Sequence, residues 1–326
     1  MKRYREGRDI GAAWLMEKLH ADGSFGDGPP DVREYYKVPA ALLVSGESEA
    51  AGRLLSWVRK HGMTPDGDFG PRPGGEDEHW YSYTNSWVVI GAHRLNQFDL
   101  SGRGMDFIMR TWDPISGGFY SSPGPGGSAD TLMDLWVVAG AARAALITNR
   151  IEAARGAGRW MQAMMAQQPN YPEQMYTVAT RAKGVITDPP PGEAIRYVLE
   201  RGAVAGDQYF FHPGIAGGFL ANLYQATGER EWLDLARRYM LLAEGATDHL
   251  FRSLRGGKVG WAASVLYTLT GEERYRKMAI RVGDNLLEQQ TAAGYWYDLD
   301  GTEPSVDATA ELVVWLDEIY QAVNRG

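Results

Sequence analysis

The segment Ser128–Leu146, "SADTLMDLWVVAGAARAAL", decides how this chain is read. A helix on the surface of a protein shows polar residues every three or four positions. Here small and apolar residues occupy almost every position after Asp134, so the helix has neighbours on all sides. Yet it starts with two carboxylates, Asp130 and Asp134, and a spacing of four puts both on one helical face.

Five other stretches repeat the pattern, with polar or aromatic residues first and a helix rich in Ala, Gly, Val and Leu after them. They are "DVREYYKVPAALLVSG" (31–46), "HWYSYTNSWVVIGAHRL" (79–95), "DQYFFHPGIAGGFLANLYQATG" (207–228), "GGKVGWAASVLYTLTG" (256–271) and "PSVDATAELVVWLDEIYQAV" (304–323). Each is preceded by a more amphipathic helix, roughly 8–21, 48–62, 102–112, 150–167, 229–245 and 272–290. "EREWLDLARRYMLLAEG" shows the period, apolar residues at three- and four-residue spacing with charge between them. Six one-faced helices alternating with six wrapped ones predict an all-α fold, an (α/α)6 barrel or toroid of six outer and six inner helices. An open two-layer solenoid is the rival; six pairs suit ring closure.

The links are asymmetric. Inner-to-outer turns such as "TGERE" are tight. Outer-to-inner links are longer and carry glycine with an aromatic, as in "ADGSFGDGPP" and "TAAGYWYDLDG". The fourth, at about 168–207, is a long rim insertion, and long loops in compact domains are usually functional. The expectation is one domain over 1–326, with its pocket on the rim where the inner helices begin.

Composition narrows the chemistry. The 326 residues carry a formal charge of −8 and no basic run, which argues against nucleic acid. Without cysteine there is no disulfide, thiolate ligand or thiol nucleophile. No Gly-rich phosphate loop or dinucleotide fingerprint is present, so no cofactor is expected. "DLD" (298–300) and "EDEH" (76–79) lack the spacing of metal ligands, and no metal is expected. The N-terminus lacks a signal-like apolar region, and no uncharged apolar run reaches ~18 residues. A cytoplasmic protein without a membrane span is the expectation.

The Gly-aromatic turns and inner helices together resemble six-hairpin carbohydrate enzymes and the toroid domains of squalene–hopene-type cyclases. "SADTLMDL" is similar to the segment bearing the catalytic aspartate of unsaturated glucuronyl and rhamnogalacturonyl hydrolases, and the resemblance implies that Asp130 is the acid/base. Those families place another aspartate on the preceding inner helix, where this chain has Asn85. Their Arg-Gly-rich turn is replaced by "FHPGIAGGF". "SVDATAEL" and "SADTLMDL" also resemble the acidic segment with which squalene-type cyclases protonate an alkene, though neither has the full acid run.

Each candidate has a functional and a structural reading. Asp130 and Asp134 are a proton-sharing pair, or a helix cap and a buried ion-pair member. His212 and Asp307 complete the catalytic candidates, as proton carriers or as packed and capping residues. His79, Asn85 and Lys258 are candidates to bind substrate. So are the aromatic residues Tyr36, Tyr83, Trp87, Tyr209, Trp261 and Trp296, which offer rings for a sugar or π faces for a cation; the alternative is that about half of the rim aromatics plug the turns. Inner-helix N-termini converging on one bowl favour an anionic small molecule. The first expectation is therefore a hydrolase or lyase acting on an unsaturated uronyl-type or other acidic sugar. A cyclase or isomerase of a terpenoid or polyketide-like intermediate is the second, and a non-catalytic ligand-binding toroid the third.

Overall fold

The computed structural model describes residues 2–73, 79–122, 127–298 and 301–324. Glu76–Glu78 of "EDEH" and Leu299–Asp300 of "DLD" lie outside the described residues. The outer helices are α1 (Lys2–Met16), α4 (Ser48–Trp57), α6 (Phe98–Ile108), α8 (Ile151–Ala166), α11 (Arg230–Glu244) and α14 (Glu273–Gln289). The inner positions hold α2 and α3 (Val32–Tyr35 and Val38–Val44), α5 (Tyr81–Arg94), α7 (Leu135–Ile147), α10 (Phe211–Thr227), α13 (Gly257–Thr270) and α15 (Val306–Val323). Two short helices complete the set, α9 (Ala194–Tyr197) in the insertion and α12 (Asp248–Arg252) after α11.

The ring closes. α3 packs on α5, α5 on α7, α7 on α10, α10 on α13, α13 on α15, and α15 returns to α3. Outside, α1 rests on α15 and α14, joining the two ends of the chain. Arg8, almost buried, seals this seam through Asp317 at 2.5 Å. Inner helices are wrapped as their composition demands; in α5 every residue from Tyr81 to Ala92 is buried. Such contact needs small residues. A Cβ on Gly214 would stand 2.3 Å from the backbone carbon of Lys258, so α10 and α13 meet backbone to backbone there.

On the rim, four outer-to-inner links carry a similar glycine turn, closed over three residues in three of them and over four at Asp113. His20, Thr64, Asp113 and Thr291 each accept a backbone bond from a glycine (Gly23, Gly67, Gly117 and Gly294) with φ of 85–98°. The aromatic that follows each turn, Phe25, Phe69, Phe119 or Trp296, is driven inward to 5% exposure or less. These rings plug the gaps between hairpins.

Several boundaries differ from expectation, among them the third outer helix, which spans Phe98–Ile108 rather than 102–112. The first outer helix runs from 2 to 16 rather than 8–21. The first inner helix is split, because Pro39 starts a new helix at Val38 and leaves Tyr36 and Lys37 at the joint. The third inner helix begins at Leu135, not 128. Before it, β1 (Met133–Asp134) pairs with β3 (Val178–Thr180) of the insertion, which continues to β4 (Gly184–Val185). The insertion also pairs β2 (Gln174–Tyr176) with β5 (Val198–Glu200). On the sixth link, β6 (Trp296–Tyr297) pairs with β7 (Pro304–Ser305).

Candidate active site

A cavity of about 490 Å³ opens where the inner helices begin, within the size range of about 300–1,000 Å³ for small-molecule sites. Residues from all six inner positions or the turns leading into them line it, joined by Arg196 from the insertion. Two charged centres sit in it, with an aromatic wall between.

The first centre is a carboxylate held by two lysines. Glu311 lies one turn into α15 and pairs with both Lys37 and Lys258. Its Oε1 also accepts from the Trp315 indole at 3.0 Å. Lys37 and Lys258 are 3% and 4% exposed, so neither has water as an alternative partner. Burial by itself would raise the Glu311 carboxyl, but Lys258 and Lys37 outweigh it and hold the group well below the usual carboxylate range. Burial likewise disfavours the Lys37 charge, yet Asp307 and Glu311 raise its pKa well above that of a free lysine. Asp307 reaches Lys37 at 2.9 Å from the exposed side.

The second centre is Asp134 with His212. Asp134 is the N-cap of α7, its Oδ1 accepting from the Trp136 amide at 2.8 Å, and it is 2% exposed. Its backbone is fixed from two directions, by Ser121 Oγ at 3.0 Å and by the pairing with Val178. His212 Nε2 lies 3.2 Å from Asp134 Oδ1, and His212 Nδ1 lies 3.0 Å from the Tyr209 carbonyl oxygen. A carbonyl and a carboxylate oxygen can only accept, so each contact is a hydrogen bond when the ring nitrogen facing it carries the hydrogen. Asp134 lines the cavity, and fully buried His212 stands behind it. Arg196 Nε stands 3.8 Å from Asp134 Oδ2.

The aromatic wall joins the two centres. Trp80 stacks on Trp136 with centroids 5.8 Å apart, and Trp136 meets Phe211 at 4.8 Å. Tyr209 packs on Phe211 and is covered by Arg255, whose guanidinium is 4.4 Å above its ring. Arg255 in turn makes two 2.7 Å bonds to Asp207.

Asp134, His212, Lys258, Asp307, His79, Tyr36 and Tyr209 thus come together in or directly behind the cavity. Others do not. Asp130 lies on an exposed turn before the helix, because the insertion captures Met133–Asp134 as a strand and delays the helix start. The two carboxylates therefore do not share a helical face. Asn85 is buried in a structural network, donating to Asp68 at 2.7 Å and accepting from Arg72 at 2.8 Å. Trp296 is one of the turn plugs, its indole donating to the Leu286 carbonyl at 2.8 Å. Trp87 and Trp261 lie deeper on the barrel axis, where with Trp315 they surround the Arg143 guanidinium at 5.4, 4.6 and 5.6 Å. Burial there lowers the Arg143 pKa to about 10, so the cation persists at neutral pH. Tyr83, 1% exposed, packs between Tyr36 and Trp136 and supports the wall from behind.

Sequence reasoning missed Glu311, Arg196, Arg255, Trp136 and Phe211. Glu311 carried a signal, four residues after Asp307 in "SVDATAEL". Arg196 carried none, since the insertion belongs to no repeat. Among the described residues no group of three or more His, Asp or Glu could hold a metal ion. No described helix is long and apolar enough to cross a membrane.

No protein-family model matches the sequence, and no curated protein matches it either. Solved structures do match. A D-mannose isomerase superposes with a TM-score of 0.72 at 13% identity, covering 98% of each chain. The α-1,6-mannanase GH76A of Salegentibacter sp. HEL1_6 gives 0.65 at 14%, covering 98% of this chain and 99% of that one. An unsaturated glucuronyl hydrolase specific for heparin gives 0.61 at 13%, covering 98% and 96%. The fold is an (α/α)6 barrel, as in these three structures. At these identities the likeness establishes architecture, and the chemistry has to be argued from the cavity.

Proposed function

We propose that the protein is a cofactor-independent acid/base enzyme acting on a sugar, and that proton transfer within the substrate, an aldose–ketose isomerisation, is its reaction. The observation that carries this is Asp134, a buried carboxylate at the cavity wall with the His212 imidazole nitrogen 3.2 Å behind it. Glycoside hydrolysis ordinarily uses two carboxyl groups on either side of the bond, one of them protonated. Here Glu311 and Asp307 both lie against lysine, and Glu311 is held ionised. Asp134, which has an imidazole behind it and no lysine on it, is the carboxylate we assign to moving a proton between adjacent carbons.

In that reaction the Asp134 carboxylate takes the proton from C2 of the open-chain aldose. The C–H electron pair becomes the C1–C2 π bond, and the carbonyl oxygen becomes an enediolate, beside the Lys258 cation on the cavity floor. Asp134 returns the proton to C1 while the C2 hydroxyl loses its own to the enediolate oxygen, giving the ketose. His212 touches Asp134 rather than the substrate. It is a positioning residue that fixes the carboxylate and offsets its charge. The aromatic wall gives the sugar an apolar face to lie on, as pockets for hydroxylated ligands commonly do.

Hydrolysis of an unsaturated uronide is the second reading, favoured by the same residue, since a protonated Asp134 would deliver its proton to an enol-ether carbon. A carbocation cyclase fits less well, because Lys37, Lys258, Arg196 and Arg255 all line the cavity and would repel the intermediate. A bowl that only binds would account for the lysine-neutralised carboxylates but not for a lysine-free carboxylate backed by an imidazole at the wall.

The test is a panel of aldoses, ketoses and unsaturated uronyl disaccharides incubated with the protein and followed by proton NMR. Interconversion of an aldose with its ketose supports isomerisation. Release of a free sugar from a disaccharide would replace it with the hydrolase reading, and no turnover across the panel would overturn both.

A further inference from the structure

Arg196 is the cation of this cavity with the least protein to bind. It is 9% exposed, and its two terminal nitrogens are buried without a hydrogen-bond partner. Its two ion-pair neighbours are distant: Asp134 at 3.8 Å from Nε, and half-exposed Glu193 at 3.9 Å from one terminal nitrogen. Neither distance is a hydrogen bond. Every other cation lining the cavity has a close carboxylate, Lys37 and Lys258 on Glu311 and Arg255 on Asp207.

A guanidinium offers donors in a planar fork that matches two oxygens of a carboxylate or phosphate. Leaving buried donors unmade is costly, so the protein gains by having an acceptor delivered to them.

The position is built rather than incidental. Thr177, next to the strand that pairs with β1, binds the Arg196 carbonyl through Oγ1 at 2.7 Å and the Tyr197 carbonyl through its amide at 2.9 Å. The insertion thereby ties the Arg196 backbone to the strand that also fixes Asp134.

We infer that Arg196 is the anchor for an anionic group of the substrate, a carboxylate or a phosphate, and that it holds this group beside Asp134. The inference rests on the cavity being a sugar site and names the substrate as an acidic or phosphorylated sugar. The two terminal nitrogens are buried in this structure. Binding therefore includes a turn of the Arg196 side chain toward the cavity.

The experiment is titration calorimetry on the full chain with four probes: glucose, glucuronate, glucose 6-phosphate and inorganic phosphate. Wild-type protein should bind at least one anionic sugar roughly 10- to 100-fold more tightly than glucose, the value of a charge-assisted contact. Glucuronate against glucose 6-phosphate separates carboxylate from phosphate, and inorganic phosphate shows whether the anion binds without its sugar. Arg196→Gln should remove the preference, with unchanged circular dichroism, and Arg196→Lys should keep part of it. Asp134→Asn should retain the preference whatever happens to turnover, so failure of the catalytic reading would be seen separately. Equal wild-type affinity for glucose and both anionic sugars overturns the inference, even if the arginine variants fail to fold. So does a preference that survives Arg196→Gln.

Discussion

Replacing Glu311 by Gln probes the arrangement on which the cavity floor depends. Gln keeps the shape, and its carbonyl can still accept from the Trp315 indole and from one lysine. What it removes is the charge that two buried lysines share. Lys37 retains Asp307 at 2.9 Å, but Lys258 has no other carboxylate within ion-pair distance among the described residues. One uncompensated buried cation is left. Breaking a buried pair in this way costs about 3–5 kcal/mol, and the surviving acceptor puts Glu311→Gln at the lower end, about 3 kcal/mol. Unfolding entropy of about 2.1 cal/mol/K per residue gives about 0.7 kcal/mol/K for 326 residues, so Tm should fall by about 4 °C. Scanning calorimetry reads this directly. A second substitution, Lys258→Met, removes the orphaned charge, so the double variant should be more stable than Glu311→Gln alone. A cost of Glu311→Gln below about 1 kcal/mol, or a double variant whose loss is the sum of the two singles, would refute the reasoning.

Three further outcomes follow from the same structure. Glu311 titrates below its unfolded value of about 4.3, so its contribution to stability is complete above that pH and is lost as pH falls toward the depressed folded value. Urea unfolding between pH 6 and 3 should therefore show a steeper acid loss in wild type than in Glu311→Gln; parallel curves would contradict this. Asp130→Asn, on an exposed turn outside the cavity lining, should stay within about 0.5 kcal/mol of wild type and leave turnover unchanged, whereas a hundredfold fall in rate would restore Asp130 as the acid/base. Gly214→Ala places a methyl group 2.3 Å from rigid backbone and should cost about 3 kcal/mol or more, read as a lowered urea midpoint; a near-neutral variant would mean that α10 and α13 are not so close.

The architecture was legible because it repeats. Helices wrapped in small and apolar residues can only be inner ones, and six copies with a glycine-aromatic turn before most of them set the ring and the functional rim. Side-chain roles were harder to read, for two physical reasons. A turn plug and a stacking platform draw on the same residues, so Trp296 read like a ligand-facing ring until its indole was seen bonded to Leu286. Trp87 and Trp261 fell below the floor because their places on the helices carry them down the axis, to Arg143. The second reason is that contacts between distant parts of the chain leave no local pattern. The pairing of Met133–Asp134 with the insertion moved a helix start by a full turn or more, separating Asp130 from Asp134. Nothing near residue 196 announces that its guanidinium returns to the mouth of the third inner helix.

The account stands most directly on the rate of Asp134→Asn, measured on the substrate that the NMR panel identifies. Asn is close to Asp in size and still caps a helix, so the Trp136 amide keeps its acceptor and the fold should hold, as the thermal midpoint will report. If Asp134 carries the transferred proton, kcat should fall by about 10²–10⁴-fold, the usual contribution of a positioned proton-transfer group. A folded Asp134→Asn protein that turns over at the wild-type rate would contradict the account, because the Asp134 carboxylate would then play no part in the chemistry.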